Sequence, residues 1–515
     1  MLASRPKWQT DEVALWIGLL VLWLSFIYNS TSRLAWVCEA ALALGFCAWA
    51  AWRARRDPQP WRGPQALVAG LQFTLLGFAA GLMVYARVSD FPGMILRGNM
   101  ATYHAPVYGR GALASLGGGL AVLFCGSCLV ALIVRDAAES RRLSALVAAL
   151  HLSILGSLFA ARFEFGDLGS LRGTSLFRFR ELAEHFDHPL GLLRNYVGAI
   201  PDLPTAAAHY PPGLPFLYRL SLDLGAEWLP LALIWGCAVV MILPLWGLLK
   251  RLGSAPDSLA VHALLVASMC CLALPSTAAT TIQGLLACTC LWLLARVLSG
   301  PGGGWWESLA IGALMVLFSF LSLTVVFFGL QLALISLLAW RWGGTELRRV
   351  VRVAFLSLGC YGSILLVIQL TTGFDLFACA RATTASHSAS RAQWLTSWSW
   401  LYYVVVSSGN LLSFAVGCGL PLSAVALLGL RRLPSLAPMP RAFAWGGVGS
   451  LVIACWATPF HLELERIFTF FLPAMFVVGS AQLEAWRGDD RLDRKVAAVA
   501  LVFALGQVLV FQHWL

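Results

Sequence analysis

The sequence predicts an all-α fold that crosses a membrane many times, and three observations carry that expectation. Apolar residues make up 59% of the 515 positions and charged residues only 12%, with a mean hydropathy of +0.77; soluble domains carry roughly 25% charge. Apolar stretches long enough to span a bilayer recur along the whole chain. The Lys and Arg residues gather in the short segments between them. A water-soluble core could not cover this much apolar surface. In a bilayer each spanning segment must satisfy its own backbone hydrogen bonds, so the spans are helices.

In chain order the apolar runs fall at about 12–30, 35–52, 66–87, 113–134 and 144–162, then 228–249, 258–275, 280–298, 307–340, 350–371, 411–430, 443–459, 467–485 and 496–514. At 1.5 Å per residue the 307–340 run is too long for one crossing, so it divides in two near Ser322. The total is about 15 transmembrane helices, with a large external loop, 163–227, after the fifth. Residues 1–143 read as an appended group of helices, 144–485 as the core containing the loop, and 486–515 as a C-terminal loop and last helix.

Placing the N-terminus, with Arg5 and Lys7, in the cytoplasm puts 23 of the 36 Lys and Arg inside and 13 outside. This bias supports the orientation, because the longest external loop counts least. Segments 88–111, 163–227 and 372–410 are then external. The net charge of +11 serves membrane orientation and does not signal a nucleic-acid partner, since no basic patch has the spacing for one. Cys125, Cys128, Cys270, Cys271, Cys288 and Cys290 sit inside apolar runs and read as small buried hydrophobes. His151 has no partner at metal-ligand spacing, so no metal site is assigned. A GxSxG elbow, a Walker loop and a dinucleotide fingerprint are all missing, which argues against hydrolase, ATPase and dehydrogenase chemistry.

Residues 162–219 are the largest polar stretch in the protein, and function concentrates where a polytopic chain invests its polar residues. Glu164 and Asp167 follow Arg162 directly, which puts carboxylates at the mouth of the bundle. Residues 174–186 form an amphipathic helix, with Leu176, Phe177, Leu182, Ala183 and Phe186 on one face and Arg178, Arg180, Glu181 and Glu184 on the other. Such a helix is suited to lie on the membrane surface. His209-Tyr210-Pro211-Pro212 closes the loop, and its paired prolines make a rigid turn. Asp187-His188 reads as solvated loop. Asp167 and Glu164 are candidates for a general base, and Arg466, His209, Arg162 and Arg172 are candidates to hold an anionic group.

An acid just after a helix, an amphipathic helix, and a His-x-Pro-Pro turn about 45 residues later resemble the first external loop of the GT-C glycosyltransferases. The bacterial proteins similar to dolichyl-phosphate-mannose protein mannosyltransferases come closest. Two later stretches match as well: Trp400 to Pro421, with Asn410, Gly419 and Pro421, and Glu465-Arg466-Ile467-Phe468 before a helix containing Pro473. The resemblance covers roughly 144–485. It implies that the loop acid is the catalytic base, that the donor is a polyprenyl-phosphate sugar, and that Tyr210, Pro211, Pro212, Asn410 and Glu465 belong to the substrate loops. The sequence departs from the pattern twice. Its EFGD leaves the base open between Asp167 and Glu164 and leaves a divalent metal open, and five helices precede the loop where many relatives have one.

The expectation is therefore a membrane glycosyltransferase in a bacterial inner membrane, with its site facing the periplasm. It would move a sugar to a glycan, lipid or protein acceptor, with inversion. A transporter or flippase for a lipid-linked sugar would need charged residues at helix midpoints, where only Glu39 and His262 stand. A glycan polymerase or ligase would share the loop but use a diphosphate-linked donor.

Overall fold

The computed structural model describes residues 175–203, 208, 210–226, 229–254, 279–300, 304–392, 407, 410–411, 414–415, 418–457 and 468–485. Among the described residues every regular element is helical. Three helices make the loop layer: α1 (Ser175–Glu184), α2 (Pro189–Ala199) and α3 (Gly213–Asp223). The bundle follows, with α4 (Leu229–Val240), α5 (Ile242–Arg251), α6 (Ala279–Ser299), α7 (Trp305–Leu321), α8 (Val325–Gly343) and α9 (Leu347–Thr372). After α10 (Leu376–Ala392) come α11 (Leu420–Leu430), α12 (Pro438–Ala457) and α13 (Leu472–Ala485). Short 3₁₀ turns lie at Ile200–Asp202, Leu433–Ser435 and Thr469–Phe471. Among the described residues three helices are long and apolar enough to cross a membrane: Thr280–Ser299 within α6, α8 and α9. Those expected at 12–30 through 144–162, at 258–275 and at 496–514 lie outside the described residues.

The long apolar run divides where expected. α7 stops at Leu321, Ser322 turns extended (φ −164°, ψ 142°), and α8 starts at Val325. The Ser322 hydroxyl accepts from the Thr324 N–H at 3.2 Å and pairs with the Thr324 hydroxyl at 2.9 Å. These side chains offer the backbone an alternative to helix. Two expected spans carry an irregularity within their length. The 228–249 run parts at Met241 into α4 and α5, because Pro244 has no N–H for the Val240 carbonyl and its ring crowds that oxygen. The 411–430 run is interrupted at Gly419, which has φ 84° and caps α11 just ahead of Pro421.

α6 is the hub. Of its spanning stretch 78% is buried, against 11% for α9, which places α6 at the centre and α9 on the rim. α6 packs on α4, α5, α7 and the Thr469–Phe471 turn, while α7 pairs with α9, α8 with α12, and α11 with α13. Without a hydrophobic drive between helices in lipid, association rests on close van der Waals contact, and small residues permit it. A Cβ built on Gly312 would lie 2.3 Å from the Ser357 carbonyl, one on Gly429 2.1 Å from the Val478 carbonyl, and one on Gly447 2.3 Å from Ala474 Cβ.

The helices alternate in direction, so the bundle has two chemically different ends. One is basic. There the Arg251 Nε donates to Ser299 Oγ at 2.8 Å and Arg349 to the Gly300 carbonyl at 2.6 Å. Arg296 pairs with Glu307 at 3.0 Å, and Arg441 stacks on Trp342. The other end carries α1–α3, the α7–α8 turn, α10 and the Thr469–Phe471 turn. α10, from the expected external segment 372–410, packs on α2 and the Ile200–Asp202 turn, so two stretches assigned to one side do share an end.

Gly447→Ala should force α12 and α13 apart and lower the melting temperature of the detergent-purified protein by several degrees, a loss of about 1–3 kcal/mol. Adding Ala474→Gly removes the clashing methyl and should restore most of it; a double variant no better than the single one would mean the close approach is not the cause.

Candidate functional site

The site end is built on the Tyr-Pro-Pro-Gly turn. Pro211 and Pro212 are buried. Pro212 caps α3 with φ −72°, and its carbonyl accepts from the Phe216 N–H at 2.7 Å. Gly213 lies against the last turn of α7, where a Cβ would stand 2.3 Å from the Phe320 carbonyl. The Tyr210 ring meets Phe179 edge-on at 5.7 Å, and the Tyr210 carbonyl accepts from the Tyr196 hydroxyl at 2.8 Å. Burial pushes the Tyr196 phenol far above its ordinary range, with Cys379 acting in the same sense, so Tyr196 stays a protonated donor. Arg219 in α3 holds Asp223 and donates to the Phe186 carbonyl at 2.9 Å, which ties α3 to the end of α1.

α1 forms as its amphipathic pattern predicts, with Phe179, Leu182 and Ala183 buried and Glu181 and Glu184 exposed. Its buried residues Phe179, Leu182 and Ala183 lie on the side that packs against α3 and Tyr210. The rigid turn brings α3 over this side of α1. His188 is structural: it caps α2, its Nδ1 accepting from the Gly191 N–H at 3.1 Å.

Beneath the turn lies a buried aromatic floor. Phe470 meets Phe318 at 5.6 Å and Phe328 at 6.1 Å, and Phe414 meets Phe468 and Phe471, both at 6.4 Å. Phe318 and Phe320 belong to the same last turn of α7, so the Thr469–Phe471 turn and the Pro-Pro-Gly turn both rest on it. The Thr469 hydroxyl donates to the Thr280 carbonyl at 2.6 Å, pinning the first turn of α6. In that turn Thr280 Oγ1, Thr281 Oγ1 and Gln283 Oε1 are buried and lack a hydrogen-bond partner. Buried polar groups are rarely left unpaired. Together they can accept and donate to a hydroxylated or anionic group. Hydropathy absorbed these three residues into the 280–298 run; the available signal was three hydrogen-bonding side chains within four positions.

Of the expected site residues, Tyr210, Pro211, Pro212 and Asn410 are described. The first three form the turn. Asn410 is buried, and its Nδ2 donates to the Cys455 carbonyl at 3.4 Å near the end of α12. Arg162, Glu164, Asp167, Arg172, His209, Glu465 and Arg466 lie outside the described residues. Among the described residues no three His, Cys, Asp or Glu side chains gather as a metal set.

No family model, curated protein or solved structure matches the chain.

Gly213→Ala puts a methyl into a backbone carbonyl that cannot yield, so the loop layer should lift from α7. The expected readout is faster tryptic cleavage at Arg219, which is otherwise held by Asp223 and the Phe186 carbonyl; an unchanged digestion rate would show that the turn does not depend on this contact.

Proposed function

We propose that the chain is a membrane glycosyltransferase of the GT-C type, moving a sugar from a polyprenyl-phosphate donor to an acceptor hydroxyl at the external face of a bacterial inner membrane. One observation supports this reading above the others. The described neighbours of the candidate residues meet at one place: Gly213, four residues after His209, packs on Phe320, and Phe470, four residues after Arg466, packs on Phe318. Two loops far apart in sequence, one from each half of the core, therefore share the last turn of α7, and the unpartnered polar groups of Thr280, Thr281 and Gln283 adjoin them through Thr469.

The chemistry follows from the residue types. Asp167, or Glu164 in its place, takes the proton of the acceptor hydroxyl. The acceptor oxygen attacks the anomeric carbon from the face opposite the phosphate. The sugar–phosphate C–O bond breaks with its electron pair going to the phosphate, so the configuration inverts and polyprenyl phosphate leaves. Arg466, His209, Arg162 and Arg172 are the candidates to hold its charge, and a guanidinium at the membrane interface is worth more than in bulk water. Gln283 Oε1 accepts from a sugar hydroxyl, and the two threonines both donate and accept. The lipid tail stays in the bilayer, so a site at the bundle end suits this donor.

Asp167→Asn keeps the size and removes the basicity; transfer should fall by roughly 100-fold or more. Near-normal transfer by that variant, with Glu164→Gln inactive, would move the role to Glu164. Arg466→Ala should lose binding of a polyprenyl-phosphate sugar, and Arg466→Lys should not restore it, because an ammonium lacks the bidentate fork. Binding of a diphosphate-linked donor instead would favour a glycan polymerase or ligase.

Orientation has its own test. Cysteines placed at exposed His185 and Arg432 are challenged with an impermeant maleimide on intact cells. Labelling at 185 alone is expected; labelling at 432 alone would invert the topology.

A further inference from the structure

Three arginines crowd the N-terminal turns of α9, the end of a helix that already carries positive partial charge. Arg349 is engaged, donating to the Gly300 carbonyl at 2.6 Å. Arg348 and Arg352 are exposed, and among the described residues neither has a hydrogen bond or ion pair. They stand four apart on one helix face, where like charges repel. The first turn of α9 holds no acidic residue, and Glu346, its N-cap, makes no side-chain capping bond. Both effects are small at exposed positions, and a bound anion would relieve both.

The surroundings specify the anion. Val351, Phe355, Leu358, Leu366 and Leu370 make an exposed apolar stripe along α9, with Phe355 76% and Leu370 77% accessible. Arg348 and Arg352 sit on the border of that stripe. From Val353 to Thr372 the helix has 20 residues, about 30 Å at 1.5 Å per residue, which matches the bilayer's hydrocarbon core. Arg348 and Arg352 then fall in the headgroup zone. The Ser357 hydroxyl donates to the Ser308 carbonyl at 2.8 Å, which sets α7 beside α9 so that Trp305 comes roughly level with Arg352. Trp305 and Trp306 are stacked at 4.0 Å and exposed, as interfacial tryptophans are. A free phosphate would have no use for the apolar stripe, whereas a phospholipid uses both.

We propose that Arg348 and Arg352 hold the headgroup of an anionic phospholipid whose acyl chains lie along the exposed stripe of α9. The site is at the basic end of the bundle, opposite the candidate catalytic end, and does not depend on the activity proposed above.

The test uses the full chain in mild detergent, with bound lipid counted by native mass spectrometry after addition of phosphatidylglycerol or phosphatidylcholine. Wild type should retain phosphatidylglycerol at ratios where phosphatidylcholine is lost. Arg348→Gln with Arg352→Gln should cut that retention several-fold. Lys250→Gln with Arg432→Gln, an equal charge change at exposed positions of the same end, should leave it unchanged. Equal retention of the two lipids by wild type, which needs no variant, would overturn the proposal. So would equal loss in both double variants, which would mean a diffuse basic surface, and so would competition by millimolar inorganic phosphate as effective as that by the lipid.

Discussion

The contact between Gly213 and the Phe320 carbonyl governs the arrangement of the whole site end. The approach is too close for any side chain. The paired prolines ahead of Gly213 remove backbone freedom from the turn, and α3 begins directly after it. Once the turn is seated on α7, α3 packs over the buried side of α1, and Tyr196 in α2 reaches the Tyr210 carbonyl. The loop layer is thus organised from one point on the bundle and is not draped over it. The same turn of α7 carries Phe318, so the aromatic floor and the loop share a foundation.

The bundle obeys a second constraint, that helices in lipid cannot rely on apolar burial to find each other. Glycine notches do that work where α7 meets α9, α11 meets α13 and α12 meets α13, each bringing a backbone within reach of its neighbour. Hydroxyls bridge helices within the bundle as well: Ser319 pairs with Tyr361 at 2.9 Å and Ser357 donates to the Ser308 carbonyl. Gln331 is buried in α8 with neither amide atom partnered, its Nε2 beside Gly447.

Much of the bundle was legible in the sequence, because hydropathy and helix length are local properties. The break at Ser322 follows from arithmetic on a run too long to cross once. The separation of basic and loop-bearing ends follows from counting charges between runs. Other features were written in the sequence but hidden by averaging: Pro244 and Gly419 interrupt runs that a hydropathy window passes over, and Thr280, Thr281 and Gln283 disappear among apolar neighbours. What covers α1 and what Gly213 touches depend on residues distant in the chain, and no local pattern encodes them. Of the candidate site, the rigidity of the Pro-Pro turn was legible; its seat on α7 was not. Asn410 was singled out for a substrate loop, and its described contact is with the carbonyl of Cys455 in the bundle.

Tyr196 gives the loop layer an anchor of a particular kind. Its hydroxyl is buried and remains a donor far beyond the usual phenol range, and its partner is a peptide carbonyl, which does not titrate. A clasp with no member that titrates in acid keeps the turn seated whatever the acidity of the compartment this end faces, so acid sensitivity here falls to the carboxylates and imidazoles alone.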